Sequence, residues 1–221
     1  MIATTSGFTI DRVAIVDDDP SARLGYKPAI EDMDVEAVLE AGPLMLLQPY
    51  VQSLSTRVNA VFCDFHLKKK DYARFNGDEL AAALYKQRIP AVLCTSYSDW
   101  EQSLLRTHRQ FIPKIIEYAA AEPETIMEIF ETCISEFDGK YEDVRRPWRT
   151  LVRVEEIIED QDYLYVVVPG WSAIQKIRIQ YDSIPTDLLS KMQHGLERLH
   201  AKVNIGAESD EDLYFDWELT S

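Results

Sequence analysis

The run Arg12-Val-Ala-Ile-Val-Asp-Asp-Asp-Pro20 constrains this chain more than any other stretch. Four apolar residues bounded by polar and turn-forming ones read as a buried parallel strand, which stops abruptly in Asp17, Asp18 and Asp19. Two unit charges about 4 Å apart repel by roughly 4 kcal/mol at an effective dielectric near 20. Carboxylates crowded at a strand end therefore want a cation. In an open α/β sheet the carboxyl ends of the strands are also where ligands bind, so a hard-cation site is the first expectation.

Strand and helix signals alternate along the first two thirds of the chain. Pro20 to Met33 reads as a helix kinked at Pro28, Val35 to Leu39 as a second strand and Leu44 to Ser55 as a second helix. Val58 to Asp64 is a third buried strand and again ends in acid. Lys68, Lys69 and Lys70 in the polar loop that follows read as solvated surface. An amphipathic helix from Asp78 to Arg88 leads to a fourth strand, Ile89 to Cys94, which ends in Thr95-Ser96. A short helix at Asp99 to Thr107, a short fifth strand at Gln110 to Ile112 with Lys114 just after it, and a helix from Glu122 to Phe137 complete the region.

Five such alternations predict a flavodoxin-like, doubly wound, five-stranded parallel sheet in the order 2-1-3-4-5. The first and third strands are neighbours in that order, so Asp17, Asp18 and Asp64 converge, with Thr95 and Lys114 on the same rim. From Trp148 onward the pattern changes to short strands, several alternating, with one helix near Thr186 to Gln193. That predicts a small mainly-β domain of SH3-like or OB-like type. The expected division is 1–137 for the α/β domain, 138–147 for a linker and 148–221 for the β-rich domain.

Charge narrows the function. The chain carries a formal net charge of −15, and residues 141–221 hold 9 Lys and Arg against 16 Asp and Glu. This disfavours a nucleic-acid binder, whose grip on phosphates needs clustered cations. Trp148, Tyr163, Tyr165 and Trp171 accordingly read as core residues. A signal peptide and a stretch of 18 apolar residues are both missing, so the expectation is a cytoplasmic protein with no membrane segment. Cys63, Cys94 and Cys133 have no metal-ligand or redox spacing and read as reduced core residues.

Three carboxylates, a hydroxyl and a lysine on one rim divide into tasks. Two acids and a third oxygen suit Mg²⁺, which prefers carboxylate and phosphate oxygens. One carboxylate can then act as nucleophile toward a phosphoryl donor, with the lysine and hydroxyl orienting the transferring oxygens.

Val16-Asp17-Asp18-Asp19-Pro20, the strand ending in Asp64, the Thr95-Ser96 strand end, Lys114 and Gly77 together make residues 11–137 resemble the receiver domains of two-component response regulators. The resemblance implies Asp64 as phosphoacceptor, Asp17, Asp18 and Asp64 as Mg²⁺ ligands with the backbone carbonyl of His66, Thr95 as switch hydroxyl, Lys114 as phosphate-binding lysine and Phe111 as the aromatic switch. Asp19 reads as a helix cap. This sequence departs from the pattern in placing Pro113 before the lysine rather than after it. The implied function is that of a signalling phosphoprotein, not an enzyme. Its partners would be a histidine kinase or phosphotransfer protein and a downstream protein bound through the β-rich domain, with homodimerisation among the arrangements allowed. A pseudo-receiver scaffold and a phosphate-sink or decoy adaptor are the alternatives.

Overall fold

The computed structural model of the protein describes residues 2–3, 8–95 and 106–218, which form two compact units. One comprises 2–3, 8–95 and 111–140; the other comprises 106–110 and 141–218.

The first unit holds five parallel strands: β1 (Arg12–Val16), β2 (Glu36–Leu39), β3 (Ala60–Asp64), β4 (Ala91–Cys94) and β5 (Ile115–Ile116). Their order is β2-β1-β3-β4-β5, as the alternation predicts. Every residue of β3 and β4 is buried, which is why these strands read as continuous apolar runs rather than alternating ones. Among the described residues four helices complete the winding: α1 (Pro20–Glu31), α2 (Leu47–Leu54), α3 (Gly77–Lys86) and α4 (Pro123–Phe137). Ile30 of α1 and Ile126, Ile129 and Phe130 of α4 share a core with Val13, Ile15, Phe62 and Val92. Helix α2 packs on α3.

One expectation needs correction here. The fifth strand is not Gln110 to Ile112: Arg109–Phe111 is a 3₁₀ turn, and the pairing with β4 falls on Ile115 and Ile116. Pro113 explains the shift, because it has no N–H to give a ladder and delays the strand until it has passed. The helix expected at Asp99 to Thr107 lies outside the described residues except for its last two, which form a turn.

The second unit is a five-stranded antiparallel sheet made of β6 (Trp148–Ile158), β7 (Tyr163–Val167), β8 (Ile177–Gln180), β9 (Arg198–Val203) and β10 (Phe215–Trp217), in the order β8-β7-β6-β9-β10. The sheet is curled, and among the described residues β8 and β10 do not pair, so the strands expected to close a barrel form an open sheet. A bulge between Val154 and Glu156 interrupts the register of β6 with β7. Leu188 and Met192 of α5 (Thr186–Gln193) join Val152, Leu164, Val166, Ile177 and Leu199 in the core.

Residues 106–110 belong to this unit through polar contacts: Arg109 Nη2 lies 2.7 Å from Asp212 Oδ1, and Arg145 donates to the carbonyls of Arg109 and Gln110 at 3.1 and 3.0 Å. Asn204, fully buried, ties the surrounding loops together. Its amide donates to the carbonyls of Val144 and Asp212, both at 3.0 Å, and its Oδ1 accepts from the Tyr214 N–H at 2.8 Å. Replacing Asn204 with Leu leaves three backbone groups, the Tyr214 N–H among them buried, without that partner and is expected to destabilise this unit by about 2–4 kcal/mol. Denaturant unfolding followed by tryptophan fluorescence checks it; an unchanged midpoint would contradict the role.

Candidate functional site

Parallel pairing of β1 with β3 sets Val16 level with Cys63, so the residues that follow each strand, Asp17 and then Asp64 at the end of β3, lie side by side. Adjacent strands run about 4.8 Å apart, which brings the carboxylates together without help from any loop. Asp17, Asp18 and Asp64 each offer a ligand oxygen, and these oxygens lie within 4.8 Å of one another. Asp17 is 4% exposed and Asp64 3%. Burial pushes the Asp17 carboxyl up to about 6, against a hydrogen bond from the Asp19 N–H that holds it down, with the charges of Asp64 and Asp18 adding to the rise. Burial also raises Asp64, opposed by hydrogen bonds from Tyr118 and His66.

The backbone around these acids is closely fitted. Asp17 Oδ1 accepts from the Asp19 N–H at 2.7 Å, while Asp19 Oδ1 accepts from the Ser21 N–H at 2.8 Å and caps α1, as expected of it. Arg23, buried on the first turn of that helix, donates to the Asp17 carbonyl and stacks 5.3 Å over the Tyr72 ring. Gly77 opens α3 against the rear of the site: a Cβ there would fall 2.0 Å from the Asp64 carbonyl oxygen. Its own N–H donates to the Phe65 carbonyl at 2.8 Å. No other residue fits that approach.

Thr95 follows β4 and is fully buried; its N–H donates to the Ile116 carbonyl at 2.9 Å. It therefore ends the strand beside Asp64. His66 contributes its N–H to Asp64 Oδ2 at 2.9 Å.

Two predicted site residues are not brought to the acids. Lys114 precedes β5 instead of following it, which places it three residues, about 10 Å, short of the rim level of Thr95. Its ammonium pairs with Glu128 of α4 at 3.3 Å. The proline before the lysine thus moves it to the wrong end of the strand. Phe111 packs 5.9 Å from the Tyr85 ring, with the Lys86 ammonium 4.3 Å above its face.

Two other residues take up positions at the site. Tyr118, two residues beyond β5, donates its hydroxyl to Asp64 Oδ1 at 2.6 Å and stacks on Tyr26 with ring centroids 6.3 Å apart. Burial holds the Tyr118 phenol well above its ordinary range, and the Asp64 carboxylate adds to that. Lys70 reaches Asp18 and Asp19, each at 3.8 Å, from a turn in which Lys70 and Asp71 both have positive φ. The lysine triplet is thus not wholly solvated surface. For Lys70 the triplet was the only signal in the sequence; Tyr118 had none, since a tyrosine in a short polar loop acquires meaning only from the fold.

The arrangement defines a class: a doubly wound α/β unit with an all-oxygen acidic cluster at the carboxyl ends of adjacent strands. No protein-family model matches the chain, and no curated protein matches it. Solved structures similar to it include a response regulator receiver domain protein from Clostridium thermocellum (12% identity, TM-score 0.43, covering 58% of this chain and 98% of that one). Others are the receiver domain of the Francisella response regulator 1452 (13%, TM-score 0.42, 57% and 98%) and the chemotaxis response regulator CheY4 of Vibrio cholerae (17%, TM-score 0.40, 57% and 99%). No helix among the described residues is long and apolar enough to cross a membrane.

Gly77→Ala forces either α3 or the Asp64 carbonyl to move, and is expected to cost about 1–3 kcal/mol. Thermal unfolding of the variant tests this; a wild-type melting temperature would show that the close approach is not constraining.

Proposed function

We propose that the protein is a response-regulator-like signalling protein whose Asp64 accepts a phosphoryl group, with Mg²⁺, from a histidine kinase or phosphotransfer protein. The observation that carries this reading is the cluster itself: three carboxylates on adjacent strand ends, two of them buried, with ligand oxygens within 4.8 Å. An all-oxygen, multiply anionic donor set suits Mg²⁺ and not a softer metal. Asp17, Asp18 and Asp64 would hold the ion, with the His66 carbonyl as a further ligand. The bound ion would offset the negative charge of the transferring oxygens.

Asp64 is the nucleophile in this scheme. Its carboxylate oxygen forms the new bond to phosphorus while the bond from phosphorus to the donor histidine nitrogen breaks, the imidazole keeping that electron pair. Thr95, closing the neighbouring strand, supplies the hydroxyl for a phosphoryl oxygen. Lys114 and Phe111 have no part in it. Output runs through protein contacts, with the β-rich unit as the binding module; its excess of acidic residues supports a protein partner rather than DNA.

Exposure to acetyl phosphate and Mg²⁺ is expected to add one phosphoryl mass to the wild-type chain and none to Asp64→Asn, read by intact mass. Equal labelling of both would remove Asp64 from the role. A second prediction concerns the cation. The Lys70 ammonium competes for Asp18, one of these carboxylates, so Lys70→Ala is expected to bind Mg²⁺ about 2- to 5-fold more tightly at low salt, the range an exposed ion pair supports. Calorimetric titration measures it, and weaker binding by the variant would reverse the assignment.

A pseudo-receiver scaffold that binds its partner without phosphate is the second reading. It is favoured by the pairing of Lys114 with Glu128 and by the Tyr118 hydroxyl lying on Asp64. The wild-type titration separates the two, because a scaffold of this kind need bind no Mg²⁺.

A further inference from the structure

We propose that Tyr118 is a latch on Asp64, holding the carboxylate out of reaction until its ring swings away. The inference rests on the reading of Asp64 as phosphoacceptor and adds the means by which that acceptor is restrained. Both oxygens of Asp64 are engaged: Oδ2 accepts from the His66 N–H at 2.9 Å and Oδ1 from the Tyr118 hydroxyl at 2.6 Å. The first donor is backbone within the same loop and stays with Asp64. The second is a side chain from a different strand end, so Oδ1 is the oxygen that can be released.

A hydroxyl bound to a carboxylate oxygen withdraws the electron density that an attack on phosphorus uses, and it also occupies the approach. Release therefore has to come before bond formation. The surroundings of Tyr118 permit it. The residue is 42% exposed and sits in a one-turn 3₁₀ segment, Tyr118–Ala120, not in a packed helix. Beside it lies an open groove of about 530 Å³, lined by Tyr26, Pro28 and Ala29 of α1 and by Ala121 and Pro123 at the start of α4. Gly25, on the same groove, has nothing within 4 Å of where a Cβ would stand. The ring can thus leave Asp64 without displacing the core, and its departure changes the surface between α1 and α4.

In the step itself Asp64 Oδ1 bonds to phosphorus, the bond from phosphorus to the leaving oxygen of acetyl phosphate breaks, and acetate carries off the electron pair. The phenolic proton stays on Tyr118 throughout. Tyr118 is thus a positioning residue that acts through Asp64.

The test uses the full chain and Tyr118→Phe, which keeps the ring and its stack on Tyr26 while removing the donor, with Tyr118→Leu as a second variant that removes both. Acetyl phosphate and Mg²⁺ label the protein, the rate is followed by intact mass, and Mg²⁺ affinity is measured by calorimetry. Tyr118→Phe is expected to label about tenfold faster than wild type and to bind Mg²⁺ several-fold more tightly, since one charge-assisted hydrogen bond to the carboxylate is gone. Tyr118→Leu is expected to do the same. Labelling of wild type and variants at one rate, or slower labelling of the variants, overturns the latch and leaves the phosphoacceptor reading standing. If no form is labelled while Tyr118→Phe still binds Mg²⁺ more tightly, the phosphoacceptor reading falls and the restraint on the Asp64 carboxylate holds. No labelling together with unchanged Mg²⁺ affinity overturns both.

Discussion

Two buried carboxylates on neighbouring parallel strands are the constraint on which the first unit depends. The pairing of β1 with β3 sets Asp17 beside Asp64; burial lifts both above the ordinary carboxylate range, and the charges of Asp64 and Asp18 add to the rise at Asp17. Much of what surrounds them is hydrogen-bond donor. The Asp19 and His66 N–H groups, the Tyr118 hydroxyl and the more distant Lys70 ammonium all meet carboxylate oxygens, while Arg23 holds the Asp17 carbonyl. Gly77 belongs to the same account, because only a residue without Cβ lets α3 start against the Asp64 carbonyl. The site is thus built by backbone packing first and trimmed by side chains afterwards.

The part of this that could be read from sequence is the part encoded locally. Apolar runs that end in Asp17 and Asp64 mark buried strands and their acidic ends because both signals sit within a few consecutive residues. Asp19 before Pro20 announces a capped helix for the same reason. The fifth strand escaped because two residues are too few to show a period, and the apolar pair at Phe111 and Ile112 imitates a strand more convincingly than Ile115 and Ile116. That error carried Lys114 with it. In the second unit the strands and α5 were legible. The open sheet was not, because closure depends on whether β8 and β10 meet, a non-local matter on which neither strand's sequence has a say.

Tyr118 illustrates the limit most sharply. Its role follows from three things the linear sequence separates: the end of β5, the end of β3 fifty-four residues earlier, and the α1 ring of Tyr26 that supports it. No spacing rule joins these.

A neutral phenol at the place where a lysine was expected also changes the electrostatics of the cluster. A lysine would bring a unit charge of its own to the phosphoryl oxygens, whereas a tyrosine hydroxyl brings only a dipole. Of the three clustered carboxylates only Asp18 is shown paired with Lys70, whose ammonium, 64% exposed, lies 3.8 Å away, where water screens most of its effect. On the reading of Asp64 as phosphoacceptor, so little internal compensation means that the cluster itself would oppose an anionic phosphoryl donor until a cation entered. On that proposal, a phenol in place of a lysine would make the site more dependent on a divalent ion, and the carboxylate that the phenol covers would be the natural place for restraint.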